Sequence, residues 1–135
     1  MSARPLLLDA SALMAFFRKE PGWEVVAQAL TDRHCLISSA NVVEAEGKLV
    51  SDGTFTVDRV RRRFGVLTQV LEVVPFPSAA QHAASFYYAR RRPYNLSLGD
   101  ALCLATAEHH GADALTAESA WASLPDLPVQ IQVIR

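Results

Sequence analysis

The 135-residue sequence is short of most features that announce a function by themselves. No apolar stretch approaches the ~18 residues that a membrane-spanning helix needs, which argues against a membrane partner. The first residues show no basic stretch followed by an apolar one, because Asp9 interrupts the run of leucines early. These two absences set the expectation of a cytoplasmic protein. Only two cysteines occur, Cys35 and Cys103, both in apolar surroundings and without a partner at metal-ligand spacing. They read as buried thiols, not as a disulfide. Glycine is scarce, and there is no G-x-G-x-x-G, no P-loop and no G-x-S-x-G elbow. A dinucleotide fingerprint, a phosphate cradle and an elbow-type serine nucleophile are thereby excluded. Histidine forms no cluster: His34 and His82 have no partner evident in the sequence. His109-His110 ends a predicted helix, where cations suit the dipole. A net charge of -1 gives no bias toward a polyanionic partner.

What the sequence does have is a regular alternation of short apolar runs and helical patterns. Leu6-Leu7-Leu8 ends in Asp9, so residues 5–9 read as a central strand that carries an acid to the carboxyl edge of a sheet. Ser11 then opens a helix over 11–18, which Pro21-Gly22 breaks. Trp23, Val26, Ala27 and Leu30 predict a second helix over 22–31. Strands are expected at 35–38, 72–76, 112–116 and 129–134, the third near an edge because of Pro75 and the last an edge strand because it alternates strictly. Further helices are expected at 41–50, 57–70, 78–92 and 97–110, with a short turn at 119–121. The 57–70 helix takes Val60, Phe64, Leu67 and Leu71 as its apolar stripe, and Gly111 ends the 97–110 helix. There is no repeat and no low-complexity segment. The pattern is that of one α/β domain over residues 1–135 with a mainly parallel sheet.

Four acids stand beside strand ends or helix starts: Asp9, Glu44, Asp100 and Glu118. Asn41-x-x-Glu44 and Ser97-x-x-Asp100 have capping-box spacing, so helix capping is a sufficient role for each taken alone. Asp9 is harder to assign to capping, because it follows an apolar strand where an unpaired charge is costly. Glu118 alone is an ordinary surface acid. Together the four can converge on one sheet edge, and close carboxylates tolerate one another when a divalent cation sits among them. Oxygen-only ligands favour Mg²⁺ or Mn²⁺ over zinc. Ser11, Ser38, Ser39 and Thr116 are nearby hydroxyls, suited either to N-capping or to bonding the acids and a cation-bound water. The nearby acids Asp113 and Glu46 are expected to point elsewhere. Arg61-Arg62-Arg63 reads as a solvated helix face, whereas Arg90-Arg91-Arg92, just before Pro93-Tyr94, is expected near the acid edge, where it would suit a nucleic-acid backbone. Trp23 and Trp121 read as core or interface.

The segments Leu8-Asp9-Ala10-Ser11-Ala12-Leu13, Ser38 with Asn41, Glu44, Lys48 and Leu49, Leu96-Ser97-Leu98-Gly99-Asp100-Ala101-Leu102, and Leu115-Thr116-Ala117-Glu118-Ser119-Ala120-Trp121 follow one another in order. In order, spacing and total length they resemble the acidic segments of PIN-domain ribonucleases, and in particular the VapC-type toxins of type II toxin–antitoxin systems. The likeness covers nearly the whole chain. Position 118 departs from the pattern, which usually has Asp there, and the extra methylene moves the carboxylate by roughly 1.5 Å. The resemblance implies a PIN-like three-layer sandwich with a parallel sheet of about five strands, ordered 3-2-1-4-5, and about seven helices. It implies a site at the switch point between strands 1 and 4, which Asp9 and Thr116 would line.

The function implied is a Mg²⁺- or Mn²⁺-dependent endoribonuclease that cleaves RNA phosphodiesters with a cation-activated water and leaves 5′-phosphate and 3′-hydroxyl ends. Asp9, Glu44 and Asp100 would hold the cation, Glu118 would assist or hold a second, and Ser11 or Thr116 would orient the water or a carboxylate. The resemblance also implies a VapB-like antitoxin that enters the acid crevice, and a homodimer formed through the early helices with Trp23 or Phe17 exposed. The alternative is a PIN-fold RNA-binding protein with weak or no cleavage, kept open by Glu118. A phosphoacceptor receiver domain fails, because residues 72–76 end without an acid and no Lys follows position 48.

Overall fold

The computed structural model describes residues 4–135. Five parallel strands form one sheet in the order β3-β2-β1-β4-β5. They are β1 (Leu6–Leu8), β2 (Cys35–Ser38), β3 (Leu71–Val74), β4 (Asp113–Thr116) and β5 (Ile131–Val133). The order and the central place of β1 are those expected. Alternation across β1 explains the layering: Leu6 and Leu8 point into one core and Leu7 into the other, and none of the three is exposed. Helices α1 (Ala10–Arg18), α2 (Trp23–Asp32), α3 (Ser39–Ser51) and α4 (Val57–Leu67) contribute to the first core. Helices α5 (Gln81–Ala89) and α6 (Leu98–His110), with Trp121 and Val129, contribute to the second. The described residues thus hold six α-helices and two short 3₁₀ segments, Ser78–Ala80 and Ser119–Ser123, against an expectation of about seven helices. No helix among the described residues is long and apolar enough to cross a membrane.

Several boundaries differ for physical reasons. Helix α1 begins at Ala10, so Asp9 and not Ser11 is its cap. Helix α3 is capped by Ser38, whose hydroxyl accepts from the Ala40 N–H at 3.2 Å, so Asn41 already lies inside the first turn. Leu71 belongs to β3 and not to the stripe of α4, which ends at Leu67. The predicted 78–92 helix is a 3₁₀ turn followed by α5, and Arg90 to Arg92 lie beyond it. β5 is confined to three residues, on the sheet edge as expected.

The cysteines are free and buried, as expected, and burial pushes the Cys35 thiol up to about 11. Asp113 pairs with Arg4 at 3.2 Å and Arg33 at 3.7 Å, at the opposite end of β4 from Thr116. His34 does have a partner: its Nε2 lies 2.8 Å from Glu72 Oε1. The expectation of exposed apolar groups on the early helices fails for the two residues it named. Phe17 is buried edge-on against Phe55, and Trp23 is half-buried with the Lys19 ammonium 5.5 Å from its ring centre. The most exposed large apolar side chains are Val43 of α3 (73%), Phe86 of α5 (68%), Val66 of α4 (67%) and Leu98 of α6 (57%).

The turn between α1 and α2 shows how closely the sheet edge is fitted. Gly22 has φ +93°, and a Cβ there would stand 2.5 Å from the Ile134 carbonyl oxygen. Gly65, exposed on α4, meets nothing within 4 Å. Gly22→Ala is therefore expected to lower unfolding stability by about 1–3 kcal/mol, and Gly65→Ala to raise it by roughly 0.5–1 kcal/mol, as read from urea denaturation midpoints.

Candidate active site

The chain reverses its winding between β1 and β4 at the centre of the sheet, as expected of a switch point. Asp9 stands there, 2% exposed. Its N–H donates to the Leu115 carbonyl at 3.1 Å, continuing the pairing of β1 with β4 for one more residue. Its side chain then turns back to cap α1, with Oδ1 accepting from the Ala12 N–H at 2.8 Å. Thr116 Oγ1 donates to Oδ2 at 2.6 Å, and Ser11 Oγ lies 2.7 and 2.9 Å from the two oxygens. Three donors thus converge on one carboxylate, which has about four lone-pair positions. Ser11 and Thr116 are held in turn: Ser11 Oγ accepts from the Ala117 N–H at 2.9 Å and Thr116 Oγ1 from the Glu118 N–H at 3.0 Å. Burial outweighs these three sets of bonds, with the Asp100 charge adding to it, and pushes the Asp9 carboxyl up to about 7.

The other acids surround this point. Asp100 forms the full capping box of α6: its N–H donates to Ser97 Oγ at 3.0 Å and its Oδ2 accepts from the Ser97 N–H at 2.9 Å. Burial raises its pKa, the Ser97 bonds oppose this, and the charges of Glu44 and Glu118 raise it further. Glu44 lies in the second turn of α3, so it is no part of a capping box. Asn41 Nδ2 approaches its Oε1 at 3.4 Å and donates to the Gly99 carbonyl at 3.1 Å, while Lys48 Nζ donates to Oε2 at 3.2 Å. Gly99 permits this arrangement, because a Cβ at that position would meet Glu44 Oε1 at 2.5 Å. Glu118 is exposed, precedes the 119–123 turn and makes no side-chain capping bond. Cys103, buried behind the site, has its thiol pushed well up by burial and by the charges of Asp9, Asp100 and Glu44.

Glu44, Asp100 and Glu118 line one cleft of about 380 Å³ together with Ser11. Asp9 lies beneath Ser11 and is not itself part of the lining. Three of the four acids thus share one cleft, and no group of three or more Asp, Glu, His or Cys among the described residues forms a metal-holding set as it stands. The cleft also has basic lining that sequence reasoning missed: Arg18, Lys48 and Arg135. Only Lys48 carried a signal, its i+4 spacing from Glu44. Arg90 and Arg91, expected near the acids, instead cover Tyr87 and Tyr88, with guanidinium carbons 5.8 and 4.5 Å from the ring centres, and none of the triplet lines the cleft. Of the first triplet, Arg63 stacks on Phe17 and Phe55 at 5.5 and 5.2 Å.

The family model of the PIN domain matches residues 6–127. The chain belongs to the PIN-domain family. This PIN domain is similar in fold to VapBC2 from Rickettsia felis bound to a promoter DNA fragment, with a TM-score of 0.72 and 14% identity over 96% of this chain and 98% of that one. VapC20 from Mycobacterium tuberculosis, a toxin that cleaves the sarcin–ricin loop, gives 0.71 and 14% over 93% and 98%. A toxin–antitoxin complex from Klebsiella pneumoniae gives 0.66 and 20% over 93% and 99%. No curated protein matches the chain. At such identities the likeness to solved structures is one of fold, and the acids of this PIN domain stand on their own geometry.

Asp9 holds its proton to a higher pH in the folded protein than in the unfolded chain, about 7 against 3.8. The unfolded chain therefore ionises first, and metal-free stability falls as pH rises from about 4 to 7. Asn also caps helices and keeps the shape. Asp9→Asn is expected to raise the thermal midpoint of the metal-free protein at pH 8, with a smaller gain at pH 5. A lower midpoint at pH 8 would contradict the costly ionised carboxylate.

Proposed function

We propose that this PIN domain is an endoribonuclease that works with Mg²⁺ or Mn²⁺ bound by Asp9, Asp100, Glu44 and Glu118. The observation that carries the reading is that three carboxylates from three chain segments, Glu44, Asp100 and Glu118, line one cleft with a fourth, Asp9, buried beneath it, close enough that Asp100 feels the charges of Glu44 and Glu118, and Asp9 that of Asp100. The donors fit the cation. All are oxygens, one lone-pair position of Asp9 is unclaimed, and Asp100 Oδ1 accepts no bond from the described residues. Mg²⁺ keeps several waters and takes only one or two carboxylates directly, so it does not require three acids already closed on a point.

A cation bound there supplies an acidified water and neutralises charge that develops on a phosphodiester. The chain does the rest. Thr116 and Ser11 keep the Asp9 carboxylate oriented, and the capping box fixes Asp100 so that Oδ1 is its free oxygen. Asn41 ties α3 to the first turn of α6, setting Glu44 beside Asp100. Glu118, with a longer side chain than Asp, lines the same cleft, which favours cleavage over a binding-only role.

The fold shared with VapBC and VapC20 structures supports a toxin of VapC type, held inactive by a VapB-like antitoxin whose basic group would meet the carboxylates. The reading includes a homodimer through the helices of the N-terminal half, whose exposed apolar side chains include Val43 of α3 and Val66 of α4. Light scattering at micromolar concentration is expected to report a dimer, and a monomer removes this part of the proposal.

Incubation with total RNA and Mg²⁺ is expected to give cleavage that EDTA stops and that Asp9→Asn and Asp100→Asn abolish. Thr116→Val, which removes only a donor to Asp9, is expected to slow it by about 10–100-fold. Cleavage that survives both EDTA and Asp9→Asn would sink the nuclease reading.

A further inference from the structure

The carboxylates do not account for the basic part of the cleft. Lys48 is tied to Glu44 of its own helix at 3.2 Å. Arg18 and Arg135 meet at a different acid, Glu20. Arg18 Nη1 lies 3.5 Å from Glu20 Oε2, and Arg135 Nη1 lies 3.6 Å from Oε1, so one carboxylate sits between two guanidiniums. All three residues line the cleft.

The two guanidiniums are placed by other contacts. Arg18 Nη2 is paired with Asp52 at the end of α3. Arg135 Nη1 donates to the Pro21 carbonyl at 3.1 Å, and the missing Cβ of Gly22 lets the Ile134 backbone lie against that same turn. The contacts with Glu20, in contrast, are at or beyond the limit of a hydrogen bond, and ion pairs as accessible as these contribute little. Glu20 is therefore a weakly held anion in a two-arginine seat whose geometry does not depend on it. Paired guanidiniums with free N–H groups are the arrangement that takes the two non-bridging oxygens of a phosphodiester.

We propose that Arg18 and Arg135 form a phosphate-backbone subsite, occupied by Glu20 in the free protein. A single RNA strand entering the cleft displaces Glu20 and seats a phosphate that flanks the one at the carboxylates. This rests on the reading of the cleft as an RNA site and names the residues that would position the strand there. A purely structural role for the same contacts would be to tether β5 to the end of α1. The two roles differ in sign at Glu20: removing its charge frees the seat for phosphate, but loosens a tether.

The test is fluorescence anisotropy with a fluorescein-labelled single-stranded RNA in Mg²⁺, with every variant made on an Asp9→Asn background to prevent cleavage. Arg135→Gln is expected to weaken binding about three- to fivefold. It should also reduce the slope of log affinity against log salt by about 0.7, the value for one contact to a single strand. Arg135→Lys should retain the slope. Glu20→Gln should tighten binding by a similar factor, and Arg61→Gln, on α4 outside the cleft, should match the background. The proposal is overturned if Arg135→Gln behaves like Arg61→Gln, if Glu20→Gln weakens binding, or if the background protein binds no RNA. Cleavage by the unmutated protein is assayed separately. Cleavage with a flat binding series removes the subsite alone, and the expected series without cleavage removes the nuclease reading alone.

Discussion

A carboxylate held out of water at the end of the central strand is the constraint on which the rest of this molecule depends. Asp9 joins three elements at once: its N–H extends the pairing of β1 with β4, its Oδ1 caps α1, and its Oδ2 takes the Thr116 hydroxyl. Burying a charge in this way is unfavourable, and the bonds from Ser11, Ala12 and Thr116 offset only part of the cost. What they do supply is direction. The two hydroxyl donors are each held by a further bond, Ser11 accepting from the Ala117 N–H and Thr116 from the Glu118 N–H, which ties the first turn of α1 to the end of β4.

The site is built from devices that ordinarily serve folding. Asp9 and Asp100 are both helix-capping residues, at α1 and α6, and Asp100 also lines the cleft beneath which Asp9 is buried. The two helix N-termini bring partial positive charge toward the same place, which eases the crowding of negative side chains without removing it. The capping and the chemical readings of such residues are therefore not rivals. At Asp100 the cap holds Oδ2 against the helix and leaves Oδ1 without a donor among the described residues, whereas at Asp9 the second oxygen is held by Thr116. The basic residues add a second tier: Lys48 restrains Glu44, and the arginines stand at the rim, away from the buried carboxylate.

Much of this was legible in the sequence. The apolar run 6–8 ending in an acid and the alternation of strands and helices were enough for an α/β domain with a central first strand, whereas the order of the five strands came only from the likeness of the four acidic segments to PIN-domain ribonucleases. The failures have a common cause. Ser11 looked like the helix start because it is a good cap, but tertiary bonding recruits it to the Asp9 carboxylate instead. Asn41 and Glu44 have capping spacing, yet Ser38 precedes them and takes the role. Arg90 to Arg92 are close in sequence to the Asp100 segment and turn onto their own tyrosines, whereas Arg135, remote from every acid motif, reaches the cleft because β5 packs against the turn at Gly22. Local spacing reads local partners well. It carries no information on which residues meet when five strands are laid side by side.

The contact between Gly99 and Glu44 has a consequence of another kind. Gly99 of α6 leaves open the space that the Glu44 carboxylate of α3 occupies, since a Cβ there would stand 2.5 Å from Glu44 Oε1. A side chain at 99 would swing the end of Glu44 aside and part it from Asp100. One acid is thus seated by a residue that has no functional group at all.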